Sequence, residues 1–161
     1  SQMTFNNTLV FIGVMLAAIS LNMLSIPPDI WWIWPQWPIV ILLVWLAWPR
    51  SSHFPLLPTW IIGLIMDLAY NNLLGQNALL LIAIVMLMQQ IKRSWYRYSL
   101  TNKFILVWLV VASYIVIIVI SRASIAQLFG YTSLFILMQA LISSLVWLWC
   151  YINFIAPNQD S

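Results

Sequence analysis

The chain has 161 residues, of which 64% are hydrophobic and only 6% are charged. Soluble domains carry about 25% charged residues, which excludes an ordinary water-soluble fold and makes the lipid bilayer the solvent for most of this surface. The net charge of +3 does not indicate nucleic-acid binding, because the few basic residues lie against apolar segments, where anionic lipid is the expected counter-charge.

Six apolar runs predict an all-α integral membrane protein, a single polytopic domain over residues 1–161 with about six transmembrane helices in one bundle. The predicted helices are about 8–26, 38–48, 59–74, 77–91, 104–121 and 133–155. About 20 residues cross a hydrocarbon core upright, so some of these runs are short. The first run lacks a basic leader and a small-residue cleavage site, and we expect it to stay in the mature protein.

The second run is the weakest candidate for a crossing. Residues 38–48 would rise only about 16 Å as a helix, and four tryptophans in residues 31–37 precede them. Tryptophans settle at headgroup depth, which predicts an interfacial stretch feeding a short helix. If this helix crosses, the chain has six crossings. If it is re-entrant, the N-terminus changes sides, and the charge pattern does not distinguish the two.

The basic residues predict the orientation of the chain. Lys92, Arg93, Arg97 and Lys103 crowd into one gap between apolar runs. Because short cytoplasmic loops retain basic residues, we expect this gap to face the cytoplasm. With six crossings, both termini are then cytoplasmic, as expected of a multi-pass inner-membrane protein.

Reactive side chains are too few for an enzyme. The chain has one histidine, three aspartates, no glutamate and one cysteine, which leaves out the parts of a nucleophilic, metal-assisted or phosphate-binding site. We expect no catalysis, no cofactor and no metal. His53 is interpreted as a solvated loop residue, and Cys150 as a small packing residue.

Asp67 is the one acid inside an apolar run. An ionisable group at the centre of a membrane helix costs about 2.5–3.5 kcal/mol, so something must compensate for it. Gly63, Asp67 and Asn71 recur at a spacing of four and share one helix face. This favours a structural or helix-capping role over a proton- or cation-carrying carboxylate, because no other apolar run contains an ionisable partner.

A second polar stripe lies on the last predicted helix, where Gln139, Ser143 and Trp147 follow at the same spacing. Small and polar residues on a common stripe are typical of contacts between membrane helices. This stripe is a candidate to dock against the Asp67 face.

A series of residues between about 34 and 79 carries more specific information. In chain order it consists of Pro35-Gln36-Trp37, Trp45, Pro49-Arg50, Gly63, Asp67-Leu68, Leu74-Gly75 and Ala78-Leu79. In this order and at these spacings the series resembles the rod-shape-determining protein MreD family. The second half of the chain matches in hydropathy and in its basic loop. Trp34 departs from the pattern, since relatives often have an arginine there.

The resemblance implies a non-catalytic scaffold of the complex that builds side-wall peptidoglycan in rod-shaped bacteria. It implies binding to the bitopic protein MreC, and through MreC a link between the MreB filament and the RodA glycosyltransferase with its class B transpeptidase. The structural or interaction candidates are Pro35, Trp37, Pro49, Arg50, Gly63, Asp67, Asn71, Gly75, Asn77 and Gln139.

The family also resembles the membrane substrate-binding subunits of energy-coupling-factor vitamin transporters, which are six-helix proteins. The alternative function is therefore a vitamin-type small-molecule uptake subunit. Such a pocket needs several convergent polar groups, and the outward loops offer few of them.

Overall fold

The computed structural model describes residues 2–24, 27, 34–47, 56–69, 74–95, 97–122 and 131–158. Within these ranges the helices are α1 (Gln2–Asn22), α2 (Trp37–Ala47), α3 (Leu56–Ala69), α4 (Gln76–Trp95), α5 (Leu100–Arg122) and α6 (Tyr131–Cys150). Helix α6 continues into a π-helical turn, Tyr151–Ile155, and a 3₁₀ turn, Ala156–Asn158. The predicted all-α fold is confirmed.

Three helical segments are long and apolar enough to cross a membrane: Gln76–Trp95, Leu100–Ser121 and Leu134–Ile155. The shorter apolar helices are Thr8–Asn22, Trp37–Ala47 and Leu56–Ala69. The chain is therefore a multi-pass helical membrane protein.

The basic gap of the sequence is mostly helical. Lys92 and Arg93 lie in the last turn of α4, and Lys103 lies inside α5. Basic side chains at a helix C-terminus interact favourably with the helix dipole, which explains why α4 continues past the predicted end at residue 91. The predicted bounds at 91 and 104 are corrected to Trp95 for the end of α4 and Leu100 for the start of α5.

Helix α2 is the centre of the bundle. It contacts α1, α4, α6 and the π-helical turn, and seven of its eleven residues are buried. A helix that is apolar on every face is a buried helix. Helix α2 therefore belongs to the core of the bundle.

The other helices pack mainly in sequential pairs, α3 on α4 and α5 on α6, while α1 packs on α2. The backbones of α3 and α4 approach each other closely, since a Cβ atom placed on Gly63 would lie 2.3 Å from the Ala78 Cα. Small residues permit such close approach between membrane helices. Gly63 thus brings Asp67, one turn further along α3, against the start of α4.

Candidate functional site

The carboxylate of Asp67 caps the start of α4. Its Oδ2 atom accepts a hydrogen bond from the Gly75 backbone N–H at 2.8 Å. Its Oδ1 atom accepts two, from the Asn77 backbone N–H and side-chain amide, both at 2.9 Å. The first N–H groups of a helix lack partners within the helix, and a negative charge there is favoured by the dipole. Asp67, which is 1% exposed, supplies that missing acceptor from α3.

Gly75 forms the turn into α4. Its carbonyl accepts a hydrogen bond from the Leu79 N–H at 2.9 Å, as expected of the residue that precedes the first helical turn. Its φ angle is +92°, a region that residues with a Cβ atom rarely occupy. Glycine at this position therefore lets the backbone present the Gly75 N–H to Asp67.

Asn77 extends the contact to a third helix. Its side chain is fully buried, and its Oδ1 atom accepts a hydrogen bond of 2.6 Å from the Tyr114 hydroxyl of α5. The amide of Gln76 also donates to the Ser121 hydroxyl near the end of α5. Hydrogen bonds thus connect Asp67, Asn77 and Tyr114 in a continuous buried chain across α3, α4 and α5. The end of the bundle where α3 ends, α4 begins and α5 ends is called the carboxylate end below.

A second polar cluster holds the start of α2. The Asn22 side chain, at the end of α1, donates to the Gln36 side-chain oxygen at 3.1 Å. Its own oxygen accepts from the Trp37 N–H at 3.4 Å. These bonds tie the end of α1 to the first residues of α2.

The polar stripe of α6 binds this same segment. The Gln139 amide donates to the Trp34 carbonyl at 3.0 Å, and the Ser143 hydroxyl accepts from the Gln36 N–H at 3.1 Å. The suggested docking on the Asp67 face is therefore corrected. Backbone groups just before α2 have no helical partners, and inside a membrane protein such groups must be satisfied by neighbours.

The opposite end of the bundle, which we call the lysine end, holds a buried cation. Lys103 is 7% exposed, and its Nζ atom donates to the Tyr151 hydroxyl at 2.7 Å. The same atom lies 5.3 Å from the ring centroid of Trp95 and 5.0 Å from that of Tyr151. Trp147 stacks on Tyr151 at a centroid distance of 5.1 Å. The cluster joins α4, α5 and the end of α6.

The candidate residues from the sequence fall into three groups. Those assembled around the start of α4 are Gly63, Asp67, Gly75 and Asn77. Pro35 and Trp37 lie at the start of α2, and Gln139 of α6 contacts the same segment through the Trp34 carbonyl. Those that lie outside the described residues are Pro49, Arg50 and Asn71.

Sequence reasoning missed Tyr114, Lys103 and Tyr151. Tyr114 sits in an apolar run as an ordinary aromatic residue, and no pattern marks it as a partner of Asn77. For Lys103 a signal existed: Trp147 and Tyr151 follow at a spacing of four on the last helix, and aromatic faces attract ammonium groups.

The chemistry open to the site is limited. In the part of the chain that the structure describes, no group of three His, Cys, Asp or Glu residues could hold a metal ion. Both oxygens of Asp67 are already hydrogen-bond acceptors. The arrangement links helices at a fixed geometry.

The fold and its polar clusters define a multi-pass helical membrane protein whose helix ends are joined by buried hydrogen bonds and a buried cation. The family model for the rod shape-determining protein MreD matches residues 3–155. The chain therefore belongs to the MreD family, as the residue series indicated, and is a cell-shape component of the elongasome. Comparisons with curated proteins and with solved structures find no significant match.

Proposed function

We propose that this chain is a non-catalytic scaffold of the bacterial inner membrane that binds MreC and supports side-wall peptidoglycan synthesis. The family membership supports a role in cell shape, and one structural observation supports the absence of catalysis. Asp67 is the one acidic residue in the described ranges, and its carboxylate is occupied by the start of α4.

The energies favour this structural role for Asp67. Placing the acid in a membrane helix costs about 2.5–3.5 kcal/mol. A hydrogen bond to a charged group contributes about 1.5–3 kcal/mol, so the three bonds to Asp67 together exceed that cost. A carboxylate that carries protons or cations needs an open oxygen and a path to water, whereas this side chain is 1% exposed.

The carboxylate end also supports a specific contact with MreC. Three leucines there expose most of their side chains, Leu68 at 70%, Leu74 at 71% and Leu79 at 70%. They flank Asp67 and Gly75, so the same hydrogen bonds that cap α4 fix their positions. Association of membrane helices depends on packing, and a preorganised surface binds at a lower entropic cost. We assign the contact with the membrane segment of MreC to these leucines.

Pro35 and Asn77 take an indirect part in this proposal. Both are buried, so they set the geometry of the helix starts while exposed neighbours make the contact. Gly75→Trp is a poor probe, because a side chain at a φ of +92° strains the backbone whether or not MreC binds.

The experiment is recovery of MreC with the tagged chain from solubilised membranes. The double variant Leu74→Ala/Leu79→Ala removes apolar contact while leaving the capping bonds in place. Its matched control is Leu57→Ala/Leu109→Ala, at side chains that are 66% and 52% exposed elsewhere on the bundle. We expect MreC recovery to fall at least about fivefold for the first pair, as for a combined contribution of about 1 kcal/mol or more, and less than about twofold for the control. Equal recovery for both pairs would place the interface elsewhere.

The orientation is tested separately. We propose that the lysine end and both termini face the cytoplasm, supported by the basic residues gathered there. Reporter fusions at each terminus report the side of the membrane. An N-terminal tag reachable only from the periplasm would overturn the six-crossing topology in favour of a re-entrant α2.

A further inference from the structure

Lys103 is a buried cation with too few acceptors. An ammonium group has three hydrogen-bond donors, and the Lys103 Nζ makes one hydrogen bond to protein in the described ranges, to the Tyr151 hydroxyl. The rings of Trp95 and Tyr151 cover the group at 5.3 and 5.0 Å. Ring faces stabilise a cation, but they accept no conventional hydrogen bond and offset less than a buried charge costs.

No described carboxylate can serve as the counter-charge. Asp67, the one acid in the described ranges, contacts Asn77 at the start of α4, whereas Trp95 ends that helix. The two positions are about 27 Å apart along the helix, at 1.5 Å per residue. The anion that balances Lys103 therefore lies outside the described ranges.

The surroundings add donors rather than acceptors. The indole N–H groups of Trp95 and Trp147 are buried and have no hydrogen-bond partner in the described structure. Arg93 and Arg97 lie exposed at the same end of the bundle. Buried donors in native proteins are usually satisfied, so this cluster matches an anion that carries several acceptor oxygens, as a phosphate group does.

Two further features indicate that the phosphate belongs to a lipid. The cluster lies where α4 ends and α5 begins, both helices that are long and apolar enough to cross a membrane. On the same helices, exposed apolar side chains lie from Lys103 and Tyr151 toward the membrane centre, with Ile105 at 46%, Leu109 at 52% and Leu145 at 49%. An acyl chain can lie against these side chains while its headgroup reaches Lys103. Moreover, Tyr151 begins a π-helical turn, a feature found frequently at functional sites.

We propose that the lysine end binds the phosphate of an anionic phospholipid headgroup through Lys103, with Trp95 and Trp147 as neighbouring donors. The site couples three helices to the membrane leaflet, since Lys103 lies on α5, Trp95 on α4 and Trp147 on α6. It is separate from the MreC contact, which lies at the carboxylate end.

The test uses the full chain, purified in detergent and delipidated. Phosphatidylglycerol is titrated in, with phosphatidylcholine and inorganic phosphate as parallel probes. Binding is followed by native mass spectrometry and by the increase in thermal unfolding temperature. The variants are Lys103→Gln, which keeps a donor for the Tyr151 hydroxyl but removes the charge, and Lys103→Arg, which keeps the charge. Arg97→Gln is the matched control, because it removes one exposed charge from the same end.

The expected result is one tightly held phosphatidylglycerol whose dissociation constant rises at least about tenfold in Lys103→Gln, as for loss of a charge-assisted hydrogen bond. Arg97→Gln should raise it no more than about fivefold, the usual effect of one surface charge. The wild type and Lys103→Arg should keep the lipid-dependent increase in unfolding temperature, which Lys103→Gln should lose.

A purely structural lysine would lower the unfolding temperature without lipid but leave the lipid-dependent increase intact, and that outcome would overturn the proposal. Equal losses in Lys103→Gln and Arg97→Gln would show a diffuse basic surface instead of a site. An equal response to inorganic phosphate would assign the cluster to a soluble anion and contradict the lipid assignment.

Discussion

Substitutions of Asp67 distinguish a helix cap from a working carboxylate. In Asp67→Asn, the remaining oxygen can keep the two hydrogen bonds that Oδ1 accepts from Asn77. The new amide nitrogen then faces the Gly75 N–H, which donates to Oδ2 in the wild type. One of three bonds is lost and one donor is left unpaired, so we expect a loss of about 1–3 kcal/mol in the free energy of unfolding.

Asp67→Leu removes every acceptor from the site and puts a larger, apolar side chain in place of the carboxylate. Three donors on Gly75 and Asn77 lose their partner, at about 1–3 kcal/mol for each buried donor. The expected loss of about 3–9 kcal/mol is a large part of the 5–15 kcal/mol that usually stabilises a folded protein. The leucine variant should therefore lose at least twice as much stability as the asparagine variant.

The assay is unfolding in mixed detergent followed by tryptophan fluorescence, with size-exclusion chromatography to verify that each variant is folded at the start. Ser113→Ala is the control, because this exposed hydroxyl bonds only to the Leu109 carbonyl of its own helix, and we expect a change within about 0.5 kcal/mol. If asparagine proved as damaging to MreC recovery as leucine while both variants stayed folded, the charge itself would matter and the capping role would be refuted.

The same unfolding assay checks three further substitutions. Gly63→Ala places a Cβ atom 2.3 Å from the Ala78 Cα, so α3 and α4 must separate. We expect the free energy of unfolding to fall by about 1–3 kcal/mol, and an unchanged unfolding midpoint would contradict the close approach. Gly75→Ala should cost about 1–2 kcal/mol, because its φ of +92° is unfavourable for an L-residue. Tyr114→Phe removes the 2.6 Å bond to Asn77 and should cost about 1 kcal/mol, so a stabilised variant would refute that contact.

The sequence predicted the features that follow from the free-energy cost of placing a single residue in its local environment. Asp67 stood out because a charge in an apolar run needs compensation, but the identity of its partner depends on how the chain folds back after α3. Gly75 came from the family resemblance, and Asn77 was a candidate as a polar residue of an outward-facing loop. Tyr114 carried no signal, since a hydrogen bond between residues 37 positions apart leaves no spacing to detect.

Hydropathy and charge do not show how helices pack. The short run at residues 38–48 is the buried helix α2, which is enclosed by other helices. Lys103 falls in the basic gap between two predicted helices, whereas it lies inside α5. The rings that cover it come from α4 and the turn after α6, and only the packing of those ends makes burial of the cation possible.

The central claim is that the protein is a scaffold without catalysis of its own. It is tested most directly by depleting the protein in a rod-shaped host and, in parallel, assaying peptidoglycan polymerisation by purified RodA with its transpeptidase. We predict that cells become round as the protein disappears, while the purified polymerase works without it and the purified chain alone polymerises nothing. Cells that keep their rod shape, or a purified chain that is itself active or binds a vitamin, would contradict the account.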